Sequence, residues 1–206
     1  QVAHFDTTAR RPLEAWVRGV NSHLPASIGV LWAVEVDESF HARFSAEARR
    51  YRYVLINRRV RPGLASGRVG WAHGELDEGA MAEAAACLVG EHDFTSFRAA
   101  ECQAKSPVRV VHSVSVERRG EVLLFDFHAN AFLHHMIRNL VGSLVFVGKG
   151  RRPVGWMAEL LAARNRTLAA PTFAPDGLYL CGVDYPAQWP LPGGGRIIAP
   201  PQLLLP

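Results

Sequence analysis

The sequence has 206 residues, 49% of them hydrophobic, which is enough to bury a core in one large domain or two small ones. Its net charge of +4 favours nucleic-acid binding only slightly over other globular functions. No apolar run reaches the roughly 18 residues of a membrane span, and no charged leader opens the chain, so we expect a cytoplasmic protein.

The first part of the chain predicts one helix and two strands. Residues 2–8 read as the middle of a strand, which indicates a truncated chain. A helix is then indicated after Pro12 by apolar residues at helical spacing: Leu13, Trp16, Val17 and Val20. Residues 28–36 are β-branched and apolar, which predicts a strand. The alternation in residues 50–56 predicts a half-exposed strand that presents Tyr51 and Tyr53 on one face.

The second part predicts helices between antiparallel strands. Asp77 is the expected N-cap of a helix that ends at Gly90. Strands at 108–116 and 122–127 predict a hairpin, and residues 133–148 form the strongest helical pattern. A further helix around Trp156 and Leu161 and a strand at 178–183 complete an α+β architecture.

Arginines concentrate between Phe40 and Pro62, with aromatic residues interleaved. The arginines are Arg43, Arg49, Arg50, Arg52, Arg58, Arg59 and Arg61, and the aromatic residues are Phe40, Phe44, Tyr51 and Tyr53. Guanidinium planes and aromatic rings suit contact with phosphates and unstacked bases. An exposed basic strand without any ligand would show the same composition, so both interpretations stay open.

Other kinds of site have little support in the sequence. His134 and His135 are adjacent, so on a helix they point about 100° apart, and no carboxylate follows at metal-ligand spacing. The cysteines have neither zinc-ligand nor disulfide spacing: Cys87, Cys102 and Cys181. A G-x-S-x-G elbow and a Gly-rich phosphate loop are absent as well. What remains is suited to holding a flipped base and its phosphates, with Arg138 on the flank of an apolar helix.

Four blocks occur in one order along the chain. They are F-H-A-R-F-S-A with A-R-R-Y-R-Y at 40–53, G-E-H-D-F-T-S-F-R at 90–98, A-N-A-F-L-H-H-M-I-R-N at 129–139 and D-G-L-Y-L at 176–180. In these blocks the chain resembles the bacterial tRNA pseudouridine synthase A family, from residue 1 to about residue 186. Several long blocks in one order are far more specific than a single motif.

The resemblance implies a fold, a domain division and an activity. The fold is α+β, with a mixed, mostly antiparallel sheet flanked by helices, in two domains around a central cleft. Residues 1–36 would be the remainder of the N-terminal domain, 37–190 the catalytic-cleft domain and 191–206 a flexible tail. The activity is isomerisation of uridines 38, 39 and 40 in the tRNA anticodon stem-loop. It needs no cofactor and no metal, and the family implies a homodimer.

The resemblance also implies roles for individual residues. Tyr51 would stack on the target uracil and serve as a base, Arg138 would pair with the catalytic aspartate, and Leu178 would support the bound nucleoside. Taken alone, Tyr51 is as readily a core tyrosine, a role for which Tyr53, two residues on along the same face, is the better candidate. Leu178 taken alone is simply a core leucine. RNA contacts carry over to Arg11, Phe40, His41, Ala42, Arg43, Phe44, Glu101, Cys102, Gln103, Ala104 and Lys105.

The sequence departs from the family at the nucleophile. In the family this aspartate lies in a G-R-T-D-x-G-V-H block that runs directly into G-Q-V-x-H-F, and Gln1 of this chain is the glutamine of that continuation. The nucleophile is therefore expected upstream of Gln1. Asp6 lies where the family has an acid that is not the nucleophile. We expect the chain alone to be inactive, and a non-catalytic RNA-binding or RNA-chaperone module of the same fold is the alternative.

Overall fold

The computed structural model describes residues 1–195, and a six-stranded sheet forms its centre. The strands are β1 (Ala48–Asn57), β2 (Gly70–Ala72), β3 (Gly90–Asp93), β4 (Val108–Arg119), β5 (Val122–Ala129) and β6 (Leu178–Asp184). The helices are α1 (Leu13–Asn21), α2 (Glu78–Ala86), α3 (Met136–Gly148) and α4 (Trp156–Ala163). In the described part of the chain, no helix is long and apolar enough to cross a bilayer.

Strand β1 organises the sheet because three strands pair with it. Strand β5 runs antiparallel along one edge of β1. On the other edge, β6 pairs antiparallel with the first half of β1, and β2 pairs parallel with Leu55–Asn57. Strands β4 and β3 extend the sheet beyond β5, each antiparallel to its neighbour. The predicted α+β class with a mixed, mostly antiparallel sheet is therefore confirmed.

The two faces of β1 differ in what covers them. Tyr53 and Leu55 are fully buried in the main core, which they share with residues of α2, α3 and α4. Val54 and Ile56 point the other way and form a smaller cluster with Leu124. The helical layer lies on the tyrosine face, so the strand does not present Tyr53 as its half-exposed pattern predicted, and the interpretation of Tyr53 as the core tyrosine is confirmed.

Local signals set several element ends. The Asp77 carboxylate accepts a hydrogen bond from the Ala80 amide (2.9 Å) and caps α2 as predicted. The predicted end at Gly90 is wrong: α2 ends at Ala86, and Gly90, with φ of +111°, is instead the first residue of β3. The hairpin of β4 and β5 is confirmed, and it turns at Gly120, whose φ is +62°. Helix α3 begins at Met136, later than predicted, because His135 adopts a left-handed backbone with φ of +59°. His134 consequently lies outside the helix.

Residues 1–36 contribute little to the core. Helix α1 is confirmed, but none of residues 1–36 is buried. The strands expected at 2–8 and 28–36 do not form, because no described strand supplies the backbone hydrogen bonds that each would need. Val2, Trp32, Val34 and Val36 pack, partly buried, on a second cluster that consists of Phe40, Val183, Tyr185 and Leu191.

The predicted flexible tail begins inside the described region. Leu191 is 7% exposed and belongs to the second cluster, and Pro192–Gly195 form a short 3₁₀ turn. The remainder of the predicted tail, 196–206, lies outside the described residues.

Candidate active site

Tyr51 lies on β1 beside an irregularity in the pairing with β6. Arg50 is opposite Gly182, but Tyr51 is opposite Leu180, so Cys181 is an extra residue on β6. A bulge of this kind redirects side chains and is frequent next to active sites. The half-buried Tyr51 ring meets Phe132 edge-on, with centroids 5.2 Å apart. Part of the ring stays accessible, as stacking on a base requires.

The protonation of Tyr51 follows from its surroundings. Burial raises the pKa of Tyr51 above its ordinary value, and the charge of Arg49 offsets this only in part. The phenol is therefore protonated at neutral pH. Tyr51 can stack or donate a hydrogen bond in that state, but it must release its own proton before it can act as a base.

Arg138 lies in the first turn of α3, and one neighbouring residue holds its side chain. The Nε donates a hydrogen bond to the Phe173 carbonyl (2.8 Å), and the Phe173 amide donates to the Arg138 carbonyl (3.2 Å). No Asp or Glu among residues 1–195 forms an ion pair with Arg138. The two terminal amino groups of the Arg138 guanidinium therefore have no carboxylate partner among residues 1–195. They could bind one carboxylate through two parallel hydrogen bonds.

Leu178 begins β6 and is paired with Tyr53 across the sheet. It is half-buried against the main core. The preceding Gly177 has φ of +94°, and a Cβ there would collide with the Val54 carbonyl, so only glycine fits at this entry to β6. Tyr51 and Leu178 lie on the adjacent strands β1 and β6, but they are not paired with each other, since Leu180 is opposite Tyr51. Arg138 is linked to β1 through Phe173, whose ring packs on Tyr53 (5.8 Å). A shared site of Tyr51, Arg138 and Leu178 stays a prediction.

The segment at Gln1 is where the resemblance expects the catalytic aspartate block to join the chain. Gln1 is exposed and belongs to no helix or strand, and Asp6 is exposed as well. The His4 Nδ1 accepts a hydrogen bond from the Ala42 amide (3.4 Å), so this segment lies beside the turn at 40–44. The expected position of the nucleophile, upstream of Gln1, stays a prediction.

The loop predicted to contact RNA at 101–105 lies against the start of α3. The His134 amide donates to the Cys102 Sγ (3.4 Å), and the Ala99 amide donates to the His134 carbonyl (3.1 Å). Arg98 holds the loop by donating to the carbonyls of Cys102 (2.6 Å) and Ala104 (2.9 Å). Cys102 is 9% exposed and faces inward, whereas the remaining polar side chains of the loop are exposed: Glu101, Gln103 and Lys105.

The turn predicted to contact RNA at 40–44 has a buried end and an exposed end. Phe40 is 6% exposed and packs on Tyr185 and Trp189, so its side chain does not reach RNA in this conformation. Phe44 is 75% exposed, and the Arg43 guanidinium lies over its ring at 5.7 Å. These two exposed side chains form the part of the turn that is available to a base and a phosphate.

Two other members of the turn fix its shape. The His41 Nδ1 accepts hydrogen bonds from the amides of Arg43 (3.1 Å) and Phe44 (3.3 Å). The Ala42 carbonyl accepts a hydrogen bond from the Tyr185 hydroxyl (2.6 Å). Both residues therefore hold Arg43 and Phe44 at the surface.

Most arginines of this region have protein partners, so the phosphate contact that the composition left open concerns only part of the stretch. Arg52 donates two hydrogen bonds to Asp126 (2.7 and 2.9 Å). Arg49 donates to three carbonyl oxygens, those of Arg43, Ala46 and Asn130. Arg50 pairs with Asp184 and Arg58 with Glu121. Among the described residues, ion-pair partners are lacking for four of the seven: Arg43, Arg49, Arg59 and Arg61.

One predicted RNA contact is not joined to this region. Arg11 lies over the Trp16 ring at 5.8 Å, next to α1. This contact lies within the N-terminal segment and involves neither the turn at 40–44 nor Tyr51.

Several residues around the candidate site had no predicted role: Phe132, Asn139, Arg166, Thr172 and Phe173. Asn139 carried a usable signal, because it is one of few polar residues on a mostly apolar helix, and the structure buries it completely. Among residues 1–195, no group of three or more His, Cys, Asp or Glu side chains could hold a metal ion.

Comparison with known proteins gives one consistent family. Residues 84–186 match the family described as "tRNA pseudouridine synthase". A protein of Aromatoleum aromaticum is 63% identical over 203 residues, which cover 98% of this chain and 77% of the relative. Relatives from Thiobacillus denitrificans and Shewanella frigidimarina are 61% and 57% identical over 192 residues, 93% of this chain and 74% of each relative. All three are named "tRNA pseudouridine synthase A".

Proposed function

The chain belongs to the tRNA pseudouridine synthase family, and on that premise we propose that it isomerises uridines 38, 39 and 40 of the tRNA anticodon stem-loop. The observation that carries the proposal is Arg138, whose Nε is held by the Phe173 carbonyl while its terminal amino groups have no carboxylate partner among residues 1–195. Tyr51 and Leu178, on the adjacent strands β1 and β6, would complete the site. The exposed pair of Arg43 and Phe44 supports an RNA substrate.

The proposed reaction detaches uracil from C1′, rotates the base and rejoins it to C1′ through C5. The target uridine must first leave its stack, at a cost of a few kcal/mol. Stacking on an aromatic side chain returns about 1–3 kcal/mol per base, and the half-buried Tyr51 ring would supply it. Leu178 would support the nucleoside from the adjacent strand. Arg138 would orient the carboxylate that acts on the sugar or initiates its elimination.

We propose further that the 206-residue chain forms no pseudouridine on its own. The support is Arg138, which keeps its guanidinium fork but has no carboxylate partner among residues 1–195. The same observation favours the second candidate function, a non-catalytic RNA-binding or RNA-chaperone module of the same fold. Both candidates bind RNA, so binding alone does not separate them.

The assembly and the location belong to the proposal as well. The family resemblance implies a homodimer. It also implies a cytoplasmic location, since the tRNA substrate would be cytoplasmic. Light scattering coupled to size-exclusion chromatography of the chain tests the dimer directly. A monomer at micromolar concentration would remove that part of the proposal.

The decisive experiment compares two proteins on the same RNA. The 206-residue chain and the product of the complete gene are incubated with anticodon stem-loops that carry one uridine, at 38, 39, 40 or an unrelated position. A pseudouridine-specific chemical assay then measures product. We expect product from the complete gene alone, at the three positions only. Product from the shorter chain would refute its inactivity, and binding without product by both proteins would favour the non-catalytic module.

A further inference from the structure

Residues 170–178 form the segment between the 3₁₀ turn Arg166–Leu168 and β6, and they are tied to the candidate site at several points. Phe173 exchanges two hydrogen bonds with Arg138. The Tyr53 hydroxyl donates to the Ala174 carbonyl (2.9 Å), and the Gly177 carbonyl accepts from the Val54 amide (2.8 Å). The segment therefore contacts β1 and α3 at once.

A polar network centred on the buried Asn139 fixes the beginning of this segment. The Thr172 hydroxyl donates to the Asn139 Oδ1 (2.7 Å), and the Arg166 Nη2 donates to both the Asn139 Oδ1 (3.0 Å) and the Thr172 Oγ1 (3.1 Å). The Asn139 Nδ2 donates to the Phe97 carbonyl (2.8 Å). Asn139 is fully buried, so each of these bonds is costly to break.

Arg166 is an unusual choice for a purely structural position. Its guanidinium also donates to the carbonyls of Ala170 (2.9 Å) and Ala169 (3.4 Å), so its recorded partners are neutral oxygens. No described carboxylate pairs with it. Arg166 therefore joins the carbonyls of its own turn to the side chains of Asn139 and Thr172.

We propose that Arg166, through Asn139 and Thr172, is a positioning residue that sets the direction of the Arg138 guanidinium. Asn139 follows Arg138 on α3, and Thr172 precedes Phe173 on the segment. The network therefore connects the residues that adjoin Arg138 and Phe173, which are hydrogen-bonded to each other. The Phe173 carbonyl holds the Arg138 Nε, which leaves the fork of terminal amino groups aimed in one direction. This inference rests on the proposed function only for its catalytic consequence.

The packing of the segment on α3 agrees with this role. A Cβ at Gly142 would lie 2.5 Å from the Pro171 carbonyl, so glycine allows the segment to approach the helix closely. Small shifts of a catalytic group are expensive, since a misplacement of about 1 Å can cost roughly 100-fold in rate.

The test uses Thr172, because this residue is exposed and its replacement leaves the core intact. Thr172→Val keeps the shape of the side chain but removes the hydroxyl, and Thr172→Ser keeps the hydroxyl. Thr167→Val is the matched control, because the Thr167 hydroxyl bonds only Asn165 in the neighbouring turn. The first measurement is the ¹⁵N NMR signal of the Arg138 Nε–H in the 206-residue chain, identified by its loss in Arg138→Lys.

We expect Thr172→Val to shift the Arg138 signal and speed its hydrogen exchange, while Thr172→Ser and Thr167→Val leave it unchanged. In the product of the complete gene, Thr172→Val should lower kcat about tenfold to a hundredfold with little change in KM. Thr172→Ser should restore kcat. An unchanged signal and kcat in Thr172→Val, or equal losses in the valine and serine variants, would overturn the inference. If the wild-type protein forms no pseudouridine, the proposed function fails, and the Arg138 signal alone decides the positioning.

Discussion

Arg43 and Arg52 differ in whether the protein itself occupies the guanidinium. Arg52 is held by two hydrogen bonds to Asp126, and Arg43 is exposed beside Phe44. A free guanidinium can neutralise a phosphate, whereas one that is already paired gains little from it. Within one arginine-rich stretch, the partner of each guanidinium therefore distinguishes arginines that are available to RNA from arginines that stabilise the fold.

For these two arginines we predict opposite effects on the salt dependence of RNA binding. Arg43→Ala should lower the slope of log affinity against log salt by about 0.7, the value for one phosphate contact with single-stranded RNA. Arg52→Ala should leave the slope unchanged and lower the urea midpoint instead. Fluorescence titration of an anticodon stem-loop at several salt concentrations measures the slope. Equal slopes in Arg43→Ala and wild type would assign Arg43 to the fold.

Tyr51 has two separable roles that substitution can divide. In the product of the complete gene, Tyr51→Phe should bind the stem-loop normally but lose most turnover, because the ring remains while the proton-transferring hydroxyl is gone. Tyr51→Ala should also weaken binding, by about 1–3 kcal/mol. Tyr179→Phe is the matched control, since Tyr179 packs in the cluster on the opposite face of the sheet. Near-normal turnover in Tyr51→Phe would reduce Tyr51 to a stacking platform.

At the scale of elements, charged groups join three strands on the face opposite Tyr51. Asp184 of β6 pairs with Arg50 of β1 (3.1 Å) and with His128 of β5 (2.8 Å), and the His112 ring lies 4.7 Å from the His128 ring. Burial, followed by the charge of Arg50, lowers the pKa of His128, and the hydrogen bond to Asp184 does not compensate. The folded protein therefore favours the neutral imidazole.

This arrangement predicts a loss of stability in mild acid. A pKa that is lower in the folded state means that the unfolded chain takes up the proton first, so stability rises with pH in that window. The contribution is complete above about pH 6.5, the ordinary histidine pKa, and is lost as the pH falls through the folded value. His128→Gln should flatten the dependence of the urea midpoint on pH below about 6.5.

His23→Gln is the control for this measurement, because His23 is exposed. The depressed pKa of Asp184, which burial opposes and Arg50 brings about, acts in a lower window that begins near pH 3.9 and does not overlap. An unchanged pH dependence in His128→Gln would show that another group causes the acid sensitivity.

For the whole molecule, the proposed division near Val36 predicts that residues 37–206 fold without the N-terminal segment. No residue in 1–36 is buried. These residues contact the rest of the protein mainly through partly buried side chains that pack on the second cluster. Deletion of 1–36 should therefore leave a cooperative urea transition, followed by circular dichroism, with a similar midpoint. A non-cooperative transition would place the boundary elsewhere.

As a reference, Phe40→Ala should lower the free energy of unfolding by about 3–5 kcal/mol, because it removes a buried aromatic ring from the second cluster.

The sequence by itself determined the family and the elements whose signals are local. Asp77 and the apolar spacing after it predict α2, and the run from 108 to 127 predicts the hairpin, because caps, turns and periodicity depend on neighbouring residues. The motif blocks also indicated Tyr51, Arg138 and Leu178 as candidate site residues, because each block is recognised from neighbouring residues alone.

Only the tertiary structure decided which side chains from different elements contact each other. The burial of Tyr53, the absence of a strand at 28–36 and the pairing of Arg52 with Asp126, 74 residues away, depend on which segments meet in the fold. The link from Arg166 to Asn139 spans 27 residues and is equally invisible to local patterns. Periodicity gives the direction of a side chain relative to its own element, but its partners are chosen by packing between elements distant in sequence.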